Sequence, residues 1–416
     1  MKAAGVIAEF DPFHNGHAYF LRRVREATSA DFIIVVMSGD YTQRGNPALL
    51  GKYLRAEAAM RNGADIVLEL PVQYATASAE LFALGGVSIL DSLKLADFLC
   101  FGTESDDMEA LSMAADILAS ETEAFKESLD QKLREGMSYP AARLQALQDT
   151  GGPKGLYELL SRPNNILAVE YIKALKRLDS SMRPVSIKRE AVDHDSVNTF
   201  GIYSSAKNIR ESLRLTGAFD SVEGYLPENT LSLLRESFQS DFPVYDDDMS
   251  LLMKYRLCME SAESLMRYAD MSAGLAKRMM NKRRDFTVCS QFAELVKTRN
   301  LTYTRIARAM LHALIGITKE DMKLYLEAGT VGYARLLGFR KEASGLIDLL
   351  NEKSDIPVIS KLSGYRKRIR APFDRMLEDT IRASDIYHFL IKDVYGTDVV
   401  SDLSRMAYSK EDIVIL

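Results

Sequence analysis

Cysteine is scarce in this chain, and what there is has no pattern. Cys100, Cys258 and Cys289 lie far apart and form no CxxC or Cys/His ligand spacing. That argues against a zinc site and a disulfide framework, and reads the thiols as small apolar residues of a reducing compartment; no metal-ligating set is expected. Long apolar runs are missing too. None approaches the roughly 18 residues of a membrane helix, and the opening M-K-A-A-G-V-I-A-E-F meets Glu9 and Asp11 too early for a signal h-region. The expectation is a cytoplasmic protein with no membrane partner. An excess of positive charge is also lacking: 53 Lys and Arg stand against 58 Asp and Glu, so the whole-chain charge by itself points to no polyanion. Internal repeats and low-complexity tracts are absent.

The charge is unevenly spread. Residues 1–250 carry roughly 25 basic and 37 acidic side chains, and 251–416 roughly 28 and 21, so the two parts differ in sign. At 416 residues the chain exceeds the usual single-domain size, and two domains are expected. In the first hundred residues the runs G-V-I-A, D-F-I-I-V-V-M, D-I-V-L-E-L and D-F-L-C-F alternate with helical stretches. Short, β-branched and continuously apolar, they read as strands buried on both faces of a doubly wound parallel sheet, an α/β layer.

Amphipathic helices are predicted near 107–119, 121–135 and 139–149, and another opens at R-P-N-N-I-L-A-V-E-Y, where Pro163 and the asparagines suit a helix start. P-V-S-I-K-R, residues 184–189, is a fifth strand, and S-S-A-K-N-I-R opens a helix capped by Ser204 or Ser205. The first domain is thus expected to span 1–215. Residues 216–416 read as a mainly α-helical second domain, with I-P-V-I-S-K-L as one isolated strand.

The stretch E-F-D-P-F-H-N-G-H, where the first strand hands over to a helix, places two of the chain's five histidines three residues apart around Asn15 and Gly16. A helix N-terminus there offers unpaired backbone N–H groups and the positive end of a dipole, a ready site for phosphate. Gly16 lets a ligand approach the backbone closely, and His14 and His17 add side-chain donors. Donors aimed at developing charge are what phosphoryl and nucleotidyl transfer require. The plainer reading has one histidine capping the helix and the other packing.

H-N-G-H resembles the HxGH signature of the nucleotidyltransferase superfamily, whose members bind ATP on a Rossmann-like sheet. Y-S-S-A-K-N-I-R, residues 203–210, is similar to a second superfamily element, S-S-x-x-I-R. Together with M-S-G-D-Y-T-Q-R-G-N-P-A, F-G-T-E-S, R-P-N-N-I-L-A-V-E-Y and T-Y-T-R-I-A-R-A-M-L-H, these segments resemble the tRNA(Met) cytidine acetate ligase family over most of the chain. The resemblance implies an ATP-dependent ligase. Acetate and ATP would give acetyl-adenylate and pyrophosphate, and the acetyl would pass to N4 of the wobble cytidine of elongator tRNA(Met).

It also implies an ATP-binding segment running through Ile7, Ala8, Glu9, Phe10, Asp11, Pro12, Phe13, His14, Asn15, Gly16, His17, Ala18, Tyr19 and Phe20, with further contacts at Gly102, Asn164 and Arg189. Asn164 could meet adenine or ribose, and Arg189 could fork onto a phosphate. His14 and His17 are the expected catalytic residues, stabilising the transferring phosphate, with Arg210 toward the triphosphate tail. Magnesium is expected on the ATP phosphates without a dedicated protein site. Gln43, Arg44 and Lys52, after the second strand, could meet acetate, pyrophosphate or RNA, although a solvated charged loop reads equally well. The chain departs from the family in having Asp11 where Asn is usual and Gly51 where an acidic residue is expected.

For tRNA, L-A-K-R-M-M-N-K-R-R and Y-R-K-R-I-R are candidate contacts through Lys277, Arg278, Lys282, Arg283, Arg284, Arg366, Lys367, Arg368 and Arg370, with Tyr365 stacking on a base. Two other readings use the same motifs: an adenylyltransferase acting on a small phosphorylated metabolite, and a non-enzymatic RNA-binding protein. The first leaves the basic helical part unexplained, and intact His14, Gly16 and His17 argue against the second.

Overall fold

The computed structural model describes residues 1–105, 107–120, 122–137, 139–151, 155–189, 203–398, 402 and 413–416. The four apolar runs at the N-terminus are parallel strands, β1 (Ala3–Ala8), β2 (Phe32–Ser38), β3 (Ile66–Leu70) and β4 (Phe98–Thr103), and β5 (Arg183–Lys188) joins them through β4. The strand order β5-β4-β1-β2-β3 reverses direction beside β1, where an open α/β sheet leaves a crevice at its carboxyl edge.

Both faces of the sheet are covered, as the uninterrupted apolar runs require. Along β2, Ile34 and Val36 join the core under the helices Ala79–Ser92 and Pro163–Arg177. Ile33, Val35 and Met37 face the helices Asn15–Thr28 and Lys52–Arg61. Each fully buried Ile or Val of this kind contributes about 1.5–3 kcal/mol.

Three strands differ from the sequence expectation. β6 (Ala334–Phe339) lies antiparallel beside β3, and β7 (Val358–Ile359) and β8 (Val414–Ile415) pair with β6. I-P-V-I-S-K-L is therefore no isolated strand, and residues beyond 216 extend the sheet that residues 3–8 begin. The strand signal of β6 is obscured by Arg335, a charge in the middle of an apolar run.

Arg335 is tolerated because it is paired. Its guanidinium reaches Asp402 at 2.6 and 2.9 Å and Glu69 at 3.2 Å, and Lys52 Nζ lies 2.6 Å from Asp402 and 2.8 Å from Glu69. All four side chains are buried. Burial raises the Glu69 carboxyl; burial acts in the same direction on Asp402, but Arg335 and Lys52 overcome it and hold that carboxyl far below the usual range. Lys52, a candidate substrate contact by sequence, is thus committed to the interior. Gly51 fits the same picture: a Cβ there would stand 3.8 Å from Tyr387 and 4.0 Å from an Asp40 oxygen, so an acidic side chain would add like charge beside this cluster.

Candidate active site

The chain leaves β1 through Phe10, whose φ of +50° turns it sharply out of the strand direction. Such a conformation costs about 1–3 kcal/mol in a non-glycine residue, and packing offsets it. Phe10 is buried with its ring 4.9 Å from both Phe13 and His17. The helix Asn15–Thr28 then starts with His14 as its N-cap, whose Nδ1 accepts the Gly16 N–H at 3.0 Å, while His17 Nδ1 accepts the His14 N–H at 3.3 Å. The two rings stack with centroids 3.7 Å apart. Gly16 is needed for this: a Cβ would come 2.9 Å from the His14 ring.

So both histidines take part in capping the helix, where the plainer reading has one cap and one packing residue, and capping does not engage Nε2 of either ring. With Nδ1 engaged as an acceptor, each neutral imidazole carries its proton on Nε2 and presents an N–H donor. Burial, then the neighbouring His14 and Arg189, push His17 well below the ordinary imidazole value, so it is neutral.

Both histidines line a cavity of about 470 Å³ at the carboxyl edge of the sheet, together with Ile7, Ala8, Glu9, Phe10, Asp11, Gly16, Tyr19 and Phe20. Pro12, Phe13, Asn15 and Ala18 do not line it; Phe13 is fully buried behind the histidines, and Asn15 donates to the Gly224 carbonyl at 3.2 Å. Gly102, Asn164 and Arg189, scattered in sequence, meet on the same wall. Arg189 donates to Asn164 Oδ1 at 2.9 Å, and Asn164 donates to Glu104. Glu104, unremarked within F-G-T-E-S, also accepts the Asn165 N–H at 3.0 Å and so caps the helix Pro163–Arg177. Its signal is nonetheless present in the sequence: an acid directly after a strand and able to meet a helix start.

The electrostatics favour an anion. Among the described residues, Arg44, Lys188, Arg189, Lys207 and Arg210 line the cavity against two acids, Glu9 and Asp11. The N-terminal turns of the helices Asn15–Thr28, Pro163–Arg177 and Ala206–Thr216 also contribute lining residues, the last capped by Ser205. Lys188 and Lys207 are additions that sequence reasoning missed. Asp11 is already engaged, for Arg210 lies 3.2 Å from its Oδ2 and Leu49 N donates to Oδ1 at 2.6 Å.

The segment after β2 is no solvated loop. Gln43 N donates to Glu9 Oε1 at 2.7 Å, Tyr387 OH donates to the Ala48 carbonyl at 3.0 Å, and Ser384 donates to Asp40 at 2.7 Å. Gly45, at φ +82°, lies against the backbone of Ala307 and Arg308 with no room for a side chain. Gln43 and Arg44 are thereby held against the cavity, and the Gln43 amide nitrogen is buried without a hydrogen-bond partner among the described residues.

The two basic clusters lie elsewhere, and none of their residues lines this cavity. Their cations are exposed, some with local partners: Arg366 pairs with Glu378, Arg368 donates to the Val358 carbonyl and Lys282 lies 3.7 Å from Asp285. Tyr365 is buried with its hydroxyl on Glu378 at 3.1 Å, so stacking of its ring on a base is not available in this conformation.

Comparison with known proteins agrees with this architecture. Residues 1–401 match the HIGH Nucleotidyl Transferase family. The tRNA(Met) cytidine acetate ligase of Acetivibrio thermocellus is 37% identical over 392 residues, covering 93% of this chain and 94% of the relative. That of Caldanaerobacter subterraneus subsp. tengcongensis is 36% identical, covering 94% and 96%. Among solved structures, Thermotoga maritima TmcAL bound with alpha-thio ATP superposes with a TM-score of 0.90, and its apo form with 0.92, each at 31% identity and over the whole of both chains. By sequence and by structure, the chain belongs to the tRNA(Met) cytidine acetate ligase family.

Proposed function

We propose that the cavity at the end of β1 binds ATP and acetate, forms acetyl-adenylate, and then passes the acetyl group to N4 of the wobble cytidine of elongator tRNA(Met). The observation that carries this reading is the convergence of two histidine donors, three helix N-termini and five cations on one cavity. In the first step an acetate oxygen attacks the α-phosphorus and the bond to pyrophosphate breaks. A carboxylate is already a nucleophile, so this step needs alignment and charge neutralisation only. His14 and His17 donate from Nε2 to the phosphate, and Arg210, held by Asp11, neutralises the departing end. Asn164 receives the nucleoside side, Arg189 beside it forks onto a phosphate, and Gln43 and Arg44 receive the acetate. Within Ile7–Phe20, the residues that line the cavity touch the nucleotide, and Pro12, Phe13, Asn15 and Ala18 shape it from behind.

Magnesium would arrive on the ATP phosphates. Among the described residues no group of three or more His, Cys, Asp or Glu is placed to hold a metal ion, so the phosphates themselves would be its ligands. The division of labour we propose gives residues 1–215 the ATP chemistry and residues 216–416 the tRNA contacts. Incubation with ATP, magnesium, labelled acetate and unmodified elongator tRNA(Met) should yield labelled N4-acetylcytidine that requires ATP. Absence of that label, together with absence of acetate-dependent ATP–pyrophosphate exchange, would refute the reading.

A further inference from the structure

Acyl transfer to cytidine poses a problem that acetate activation does not. The N4 amine shares its lone pair with the ring, so it attacks the acetyl carbonyl productively only if a proton leaves as the C–N bond forms. The acceptor must face the cavity and have an oxygen or nitrogen not already engaged. Neither histidine qualifies through Nδ1, because each accepts a backbone N–H there and carries its proton on Nε2. Asp11 is taken by Arg210 and the Leu49 N–H.

Among the described residues Glu9 is the other lining acid, and it stands differently. Its Oε1 accepts the Gln43 N–H at 2.7 Å, whereas Oε2 has no hydrogen bond and no ion pair among the described residues. The carboxylate is thus fixed by one oxygen against the Gln43 loop and presents the other to the cavity. The groups that face it are Asp11 beside it on the chain, Arg44 on the loop, Arg210 on the helix Ala206–Thr216 and Tyr171 on the helix Pro163–Arg177. Burial dominates and raises the carboxyl above its ordinary value, with Asp11 adding to the rise and the Gln43 N–H, Arg210 and Arg44 opposing it. A raised carboxyl is a stronger proton acceptor.

From this geometry we infer that Glu9 is the catalytic base of the second step, accepting the proton from cytidine N4 while the acetyl group is transferred. N4 bonds to the carbonyl carbon, the bond from that carbon to the adenylate oxygen breaks, and its electron pair leaves with AMP. The proton moves to Glu9 Oε2 and is later released to solvent. The inference rests on the ligase reading above. It separates the half-reactions, since formation of acetyl-adenylate needs no base.

The test uses Glu9→Gln, whose amide oxygen can still accept the Gln43 N–H. Synthetic acetyl-adenylate and unmodified elongator tRNA(Met) are supplied directly and transfer is followed in single turnover, with acetate-dependent ATP–pyrophosphate exchange measured in parallel. Transfer should fall by about a hundredfold or more, whereas exchange, in which Glu9 serves only as a nucleotide contact, should fall at least about tenfold less than transfer. Transfer by the unaltered enzyme should weaken as pH falls through the raised carboxyl value, and residual transfer by Glu9→Gln should lack that limb. Glu9→Asp, which keeps a carboxylate, should transfer faster than Glu9→Gln and guards against misfolding of the amide variant. Transfer by Glu9→Gln within about threefold of the unaltered enzyme, or a parallel fall of both half-reactions, would overturn the assignment. If the unaltered enzyme itself fails to transfer from acetyl-adenylate, the ligase reading fails, and the base with it.

Discussion

His14 and His17 are stacked ring on ring, 3.7 Å between centroids, and each spends its Nδ1 on a backbone N–H of the same helix start. One interaction set therefore terminates the helix and fixes the tautomer of both donors. This coupling separates stability from chemistry in mutants. His14→Asn retains a good N-cap and should fold with little loss, whereas His14→Ala should lose about 1 kcal/mol in chemical denaturation. Both should slow acetate-dependent ATP–pyrophosphate exchange by about 100-fold or more, as removal of a charge-stabilising donor does elsewhere. His17→Ala should do the same and abolish N4-acetylcytidine formation.

The neutrality of His17 has a pH signature. Its folded value is depressed, so below about pH 6.5 the unfolded chain takes up a proton that the folded chain refuses. This residue's contribution should therefore lower stability as pH falls from about 6.5 toward the folded value, by at most about 1.4 kcal/mol per pH unit. Denaturation midpoints of the unaltered protein and of His17→Asn, compared from pH 7.5 to 5, should diverge in that sense. Pyrophosphate exchange should show no inflection from His17 near pH 6.5.

Arg189 and Asn164 act as a pair across the cavity wall, 2.9 Å apart. Arg189→Ala should raise KM for ATP by roughly 10- to 100-fold, the range expected for a charge-assisted hydrogen bond of about 1.5–3 kcal/mol. KM for acetate should move much less. Equal shifts in both would argue that Arg189 organises the whole cavity.

Asp402 is bound in the interior to Lys52, Tyr53 and Arg335. Asp402→Ala leaves two buried cations short of a partner and should cost about 3–5 kcal/mol. A clear drop in thermal midpoint, with KM for ATP nearly unchanged in the fraction that remains folded, is the expected outcome.

The exposed cations of 277–284 are expected to act on tRNA alone. Replacing Lys277, Arg278, Lys282, Arg283 and Arg284 together by Ala should raise KM for tRNA. It should also flatten the salt dependence by about 0.7–0.9 in log–log slope for each phosphate that is no longer neutralised. Pyrophosphate exchange should be unaffected. An unchanged salt slope would assign this helix face to solvent.

Much of this protein was determined by local sequence. Continuous apolar runs in β1 to β4 can only be buried on both faces, which dictates the covered parallel sheet. The E-F-D-P-F-H-N-G-H stretch defines a strand-to-helix turn and its donors through spacing alone. What lay beyond reach depends on partners distant in the chain. β6 could not be read as a strand because Arg335 makes sense there only beside Asp402 and Glu69, 67 and 266 residues away by numbering. Lys52 looked like a substrate contact because a lysine after a strand is ordinarily solvated, and only packing decided that three carboxylates, those of Asp40, Glu69 and Asp402, would enclose it. Likewise nothing in spacing distinguishes Asp11 from Glu9. The tertiary structure decided that one carboxylate is held by an arginine while the other keeps an oxygen for the cavity, because electrostatic partners are chosen in space and sequence patterns report only periodicity.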